Sequence, residues 1–180
     1  MKKIYVWVWC FALISACNSK PEEEPQNDTT SAAATPQATE FADAKYVDIG
    51  KNSLAAMSGA DLDAWGNIFA DNAKYYWNNG DSIVGKAAIA AYWKQRRTDI
   101  IDSITFFNDI WLAVKVNQPQ QPMQTPGVWL LGWYQVRTKY KTGKTMGQWI
   151  HTDYHFDAND KVDEVVQYLD RAPINAATAK

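Results

Sequence analysis

The sequence predicts an α+β domain, helices first and an antiparallel sheet after them. Three observations carry that prediction. Apolar residues recur at helical spacing between residues 44 and 93, β-branched and aromatic runs take over from residue 104, and no βα alternation of the kind a parallel sheet needs is present.

Ala44 to Met57 reads as the first helix, with Val47, Ile49, Leu54 and Met57 loosely on one face. After Ser58-Gly59, Ala60-Asp61-Leu62-Asp63-Ala64-Trp65 opens a second short helix through Phe69, its acids placed where the helix dipole favours them. Ala73 to Trp77 reads as a short strand and Asn78-Asn79-Gly80-Asp81 as a turn. Gly85 precedes Lys86 to Trp93, which is alanine-rich and helical. Ile104 to Val116, Val128 to Tyr140, Thr145 to Phe156 and Val162 to Asp170 read as strands, with turns at Thr142-Gly143 and Asn159-Asp160. Asn117 to Gly127, which holds Pro119, Pro122 and Pro126, is a long polar hairpin loop of the kind that forms lids or stays disordered.

The N-terminus has a different character. Met1-Lys2-Lys3 is basic, and Ile4 to Ala16 is an apolar run of 13 residues, too short for a spanning helix but suited to a signal-peptide core. It closes on Leu13-Ile14-Ser15-Ala16-Cys17, which resembles the lipobox of bacterial lipoproteins. The resemblance implies that residues 1 to 17 are a lipoprotein signal sequence through the lipidated Cys17, acylated with chains such as palmitate. Several acyl chains on one residue hold stably where one would not. The expected location is the bacterial cell envelope, at the outer membrane.

Residues 18 to 40 contain Pro21, Pro25, Pro36 and the run Glu22-Glu23-Glu24, and no aromatic residue. Such a segment cannot bury enough apolar surface to fold, so it reads as a disordered acidic linker, and residues 41 to 180 as the domain. Cys17-Asn18-Ser19-Lys20-Pro21-Glu22-Glu23-Glu24 also resembles the acidic tracts of surface-exported lipoproteins of the Bacteroidetes type, which implies surface exposure. Of the chain's 20 acidic and 18 basic residues, five acids and Lys20 lie in the linker and Lys2 and Lys3 in the signal segment, leaving 15 of each sign in the domain. A neutral domain without a basic stripe excludes nucleic acid as a partner. Removal of the signal peptide takes Cys10 with it and leaves Cys17 as the only cysteine, so the domain has neither a disulfide nor thiol chemistry.

Four local strings, in order, resemble the nuclear transport factor 2-like superfamily in its SnoaL-like and ketosteroid isomerase-like branch. They are Phe69-Ala70-Asp71-Asn72-Ala73 before the first strand, Ile83-Val84-Gly85-Lys86-Ala87-Ala88-Ile89 leading into the third helix, Phe156-Asp157-Ala158-Asn159-Asp160-Lys161-Val162 at the last hairpin, and the closing Gln167-Tyr168-Leu169-Asp170. The resemblance implies a cone: a curved antiparallel sheet wrapped around N-terminal helices, with an apolar pocket open at one end. It also implies a homodimer through the outer sheet face. Relatives include isomerases, dehydratases, cyclases, epoxide hydrolases and non-catalytic binding domains, so the fold leaves the activity open.

The resemblance places a steroid isomerase's general-base aspartate at Trp77, its protonated oxyanion-binding aspartate at Thr152 and its partner tyrosine near Ser53. None of the three residues matches, and a tryptophan cannot abstract a proton. Strand alternation predicts Gln148, Ile150, Thr152, Tyr154 and Phe156 inside the cone, with Trp149, His151, Asp153 and His155 outside. On the neighbouring strands it predicts Trp129, Leu131, Trp133 and Gln135 inside, then Val165, Gln167 and Leu169, with Tyr92 and Trp93 closing the pocket. The expected ligand-binding set is therefore Trp77, Tyr92, Trp93, Trp129, Trp133, Gln148, Thr152, Tyr154 and Gln167, around a small, largely apolar molecule and no cofactor. These aromatics would equally serve as packed core.

His151 and Asp153 are the catalytic candidates, since residues two apart on a strand share a face as a His-Asp base requires. With His155 they also fit two or three ligands of a metal site, yet the chain supplies no fourth, and no metal is expected. They would serve a hydrolase, dehydratase or cyclase only by facing the cavity. On the outer face they would mark a protein-interaction surface. Arg96 and Arg97 could clamp an acidic group, although ending a helix beside Thr98-Asp99 accounts for them.

Overall fold

The computed structural model describes residues 37–122 and 124–179. The lipobox, Cys17 and most of the linker lie outside the described residues. The elements run β1 (Thr39–Phe41), α1 (Lys45–Ser58), α2 (Leu62–Gly66), β2 (Phe69–Trp77), β3 (Ser82–Val84), α3 (Lys86–Asp99), β4 (Ile101–Val116), β5 (Gly127–Tyr140), β6 (Thr145–Phe156), β7 (Val162–Tyr168) and α4 (Arg171–Thr178).

Seven strands form one curved, unclosed sheet in the order β1-β4-β5-β6-β7-β2-β3. Every pairing is antiparallel except that of β2 with β7, which is parallel. Edge strand β1 begins at Thr39, inside the segment that composition assigns to the linker, and takes its order from pairing with Val114 to Val116 of β4. Such short pairings carry no periodicity of their own in the sequence.

Helix α1 buries Tyr46, Gly50, Ser53, Leu54 and Met57, a stripe at steps of three and four residues that lies on the sheet's concave face. Gly50 makes that approach possible. A Cβ there would stand 2.7 Å from Leu130 Cδ2 and 2.8 Å from Trp111 Cζ3, and one on Gly132 of β5 would stand 2.4 Å from the same indole. The Trp111 ring thus fills the space that two missing side chains leave between helix and sheet. Helix α2 is capped by the Asp61 carboxylate, which accepts from the Ala64 N–H at 2.9 Å. It ends at Gly66, and β2 already begins at Phe69, the residue where helical spacing places the end of the helix. Pairing with β3 and β7 wins over local helical spacing there.

Of the four register shifts in the sheet, two bear on the residues that reach the core. In β4 one extra residue lies between Phe107 and Ile110, with Asn108 in the left-handed region at φ 54°. In β7 Asp163 is the extra residue opposite the His155–Phe156 step, so Val162 and Val165 both reach the core although three residues apart.

The β5 alternation corrects the sequence expectation. Leu130, Gly132, Tyr134, Val136, Thr138 and Tyr140 face the concave side and are buried, so Trp129, Leu131, Trp133 and Gln135 stand on the outer face. Both faces of this strand are rich in large apolar residues, and hydrophobicity does not separate them. The turn does. Tyr140 N–H bonds to Lys144 and Gly143 has φ 84°, which makes a three-residue loop with its last residue left-handed. A two-residue loop at Thr142-Gly143 would pair odd residues with even ones, and the third residue reverses that parity. The faces of β6 and β7 agree with alternation: Gln148, Ile150, Thr152, Tyr154 and Phe156, with Val165 and Gln167, belong to the buried side.

Helix α4 follows directly on β7, where the sequence carries the strand on to Asp170 instead. The Asp170 carboxylate caps it by accepting from Ala172 N–H at 2.8 Å. At its other end the Lys144 ammonium bonds the Ala176 and Ala179 carbonyls, where the helix dipole favours a cation.

Candidate functional site: an aromatic cavity with a neutral polar floor

The concave sheet face and the helices enclose a cavity. Leu54, Met57, Trp65 and Trp93 wall it from the helix side, and Ile104, Phe106, Tyr134, Val136, Ile150 and Tyr154 from the sheet. Water centres can move within about 70 Å³ of it. One water needs roughly 10–15 Å³ of such room, so the space suits several waters or one small molecule. At the open end a second hollow of about 110 Å³ lies between α3, β7 and α4, and shares Trp93, Arg96, Gln167, Leu169 and Ile174 with the first.

Its polar floor is a hydrogen-bonded chain. Trp77 Nε1–H donates to Gln167 Oε1 at 3.1 Å, Gln167 Nε2 reaches the Thr152 hydroxyl at 3.4 Å, and Thr152 and Tyr134 share a hydrogen bond of 2.7 Å. The indole can only donate, which settles the orientation of the Gln167 amide. Trp77 and Thr152 are the two places where the family resemblance puts the isomerase carboxyls. Here both belong to one neutral chain through Gln167. Ser53, the third place, is buried, and its hydroxyl has no hydrogen-bond partner among the described residues. Burial pushes the Tyr75, Tyr134 and Tyr154 hydroxyls up from the usual tyrosine range, so they remain neutral and serve as hydrogen-bonding groups, not bases. Among the described residues no Asp or Glu lines either hollow.

Of the residues expected to touch a ligand, Trp77, Tyr92, Trp93, Gln148, Tyr154 and Gln167 line one or both hollows. Thr152 stands behind the wall as the middle of the polar chain. Trp129 and Trp133 are on the other side of the sheet. Tyr134 is the residue the sequence reading passes over, because the misassigned parity of β5 points it outward.

His151 and Asp153 stand on the outer face, so the reading that gives the cavity a His-Asp base fails. His151 is stacked between Trp133, at 4.4 Å and 16°, and Tyr168, at 5.5 Å and 23°. Its Nδ1 lies 3.1 Å from the Gly132 carbonyl and its Nε2 2.9 Å from Asp153 Oδ1. Burial holds the Asp153 carboxyl above its ordinary range, against the attraction of His151. His155 is separate from both: its Nδ1 meets Asp163 at 2.5 Å and its Nε2 the Pro126 carbonyl at 3.0 Å, which ties the end of the 117–126 loop to the sheet. No three His, Cys, Asp or Glu side chains among the described residues are placed to hold one metal ion.

No family model matches the sequence, and neither does any curated protein. Solved structures do match. A polyketide cyclase candidate of Xanthomonas campestris superposes with a TM-score of 0.58 at 15% identity, over 74% of this chain and 96% of that one. A protein of nuclear transport factor 2-like fold and unknown function from Burkholderia pseudomallei gives 0.60 at 13%, over 74% and 97%. A protein of ketosteroid isomerase-like fold from Catenulispora acidiphila, solved in complex with trimethylamine, gives 0.54 at 13%, over 73% and 92%. At these identities the likeness is one of architecture, and the seven-stranded curved sheet with its N-terminal helices has the nuclear transport factor 2-like fold.

Proposed function

We propose that the chain is a lipid-anchored protein of the bacterial envelope whose aromatic-lined cone binds a small, largely apolar molecule. The observation that carries this reading is the Trp77–Gln167–Thr152–Tyr134 chain, which contains no group able to move a proton near neutral pH and includes the two residues that the family resemblance aligns with the isomerase acids. The trimethylamine complex of the Catenulispora protein supports the fold's capacity for small ligands. Native mass spectrometry of the full-length chain extracted from envelope membranes tests it. A bound small molecule is expected, lost on Val136→Trp, which fills the cavity. An empty wild-type chain, or the same molecule on the filled variant, refutes the reading.

The anchor rests on the lipobox ending at Cys17, and the acidic tract after it supports exposure at the outer membrane surface. Cys17→Ser is expected to leave the protein soluble or unprocessed with its domain folded. Retention on membranes through a carbonate wash would refute the anchor. A homodimer through the outer sheet face is part of the same proposal. Ile110, Trp149 and Tyr168 are 58%, 51% and 45% exposed on that face. Trp149→Glu is then expected to shift sedimentation from dimer to monomer, and a wild-type monomer at micromolar concentration would refute it.

A further inference from the structure

The geometry points to a carboxylate as the polar end of that molecule, gripped at the mouth of the cone by Arg96 and the indole N–H of Trp93. The inference rests on reading the cone as a ligand site and specifies what the site takes. Two side chains present at the mouth, Trp93 and Arg171, carry buried N–H groups, Nε1 and Nε respectively, with no acceptor among the described residues. Gln148 adds a third inside the cavity: its Oε1 accepts from Asp170 N–H at 3.0 Å, which leaves Nε2 as the unpaired end. A buried donor without an acceptor is unfavourable, so this wall is complementary to a group that only accepts.

Charge points the same way. Arg96 and Arg171 both line the mouth, and no Asp or Glu among the described residues does. Arg171 is offset by Asp81 at 3.1 Å, whereas Arg96 forms no ion pair among the described residues. Both guanidiniums are held over aromatic faces, Arg96 at 5.5 Å from the Tyr92 centroid and Arg171 at 5.7 Å from that of Trp77. The two rings are themselves in contact at 5.3 Å. A guanidinium stacked in this way keeps its in-plane N–H groups free for a carboxylate. Behind the mouth the walls turn apolar, so the fitting molecule is a monocarboxylic acid with a small hydrocarbon body.

The test uses phenylacetate and its neutral counterpart 2-phenylethanol as probes, titrated into the full-length chain labelled with ¹⁵N at the indoles. Phenylacetate is expected to bind at least tenfold more tightly and to shift the Trp93 Nε1–H resonance. Arg96→Gln is expected to bring the two affinities within about twofold of each other by weakening phenylacetate, and Arg96→Lys to restore part of the difference. Trp93→Phe keeps an aromatic wall and removes the donor. It should weaken phenylacetate several-fold more than 2-phenylethanol, which keeps the test decisive if Arg96→Gln does not fold. Equal binding of the two probes, or a preference that survives Arg96→Gln, overturns the carboxylate assignment and leaves the ligand site standing. If neither probe binds, the site itself is refuted along with it.

Discussion

Thr152→Val keeps a β-branched side chain of the same shape and deletes one buried hydroxyl. Thr152 is 1% exposed and Tyr134 is 2% exposed, and the change removes the buried partner that the Tyr134 hydroxyl meets at 2.7 Å. Leaving that group unpaired costs about 1–3 kcal/mol. The Gln167 contact, at 3.4 Å, is long and adds little. With a urea slope of about 2 kcal/mol/M for a domain of this size, the midpoint should fall by roughly 1 M without a change of slope. Tyr134→Phe alone should cost a similar amount, since it strands the Thr152 hydroxyl in turn. The double variant removes both partners and should be no worse than either single one, a coupling of about 1–2 kcal/mol. Urea unfolding followed by circular dichroism measures all four species. A Thr152→Val midpoint within error of wild type, or additive single costs, would show that this hydrogen bond does not hold the cavity floor.

Gly132→Ala would place a methyl group 2.4 Å from the rigid Trp111 ring, and overpacking of that kind should cost about 1–3 kcal/mol in the same assay, with the near-ultraviolet tryptophan signal altered. The raised Asp153 carboxyl pKa means the fold holds that proton more tightly than the unfolded chain does. Its ionisation therefore costs no stability below the ordinary carboxylate range, and the full cost appears above the raised value. Asp153→Asn should raise the melting temperature near pH 7 and leave it unchanged near about pH 3; the reverse pattern would refute burial as the cause. Asp160 has the opposite sign: bonds from Lys45 and Tyr46 hold its carboxyl below the ordinary range, so its contribution is present above that range and lost as pH falls through the folded value. Asp160→Asn should flatten the acid limb of a melting-temperature profile and leave the alkaline side parallel to wild type.

The sequence by itself determined the order and kind of the long elements. Lys45–Ser58, Thr145–Phe156 and Val162–Tyr168 lie within a residue or two of where periodicity puts them, because each is long enough for its apolar pattern to be read locally. It also determined that Trp77 and Thr152, the places to which the family resemblance assigns the isomerase carboxyls, hold neither Asp nor Glu, since that depends only on residue identity. What needed tertiary structure was everything settled by pairing. β1 and β3, three residues each, exist only as partners of longer strands, and α4 is defined by its Asp170 cap and its docking against Lys144. The face of β5 was decided by one left-handed residue, Gly143, in a hairpin whose apolar pattern is nearly the same on both sides. That parity turned Tyr134 into the cavity and Trp129 and Trp133 out of it. Likewise no spacing rule brings Arg96 of α3, Arg171 of α4 and Trp77 of β2 together. They meet because β2 and β7 pair in parallel with Trp77 opposite Gln167, α4 begins just beyond that end of β7, and α3, which follows β3, brings Arg96 there near its C-terminal end.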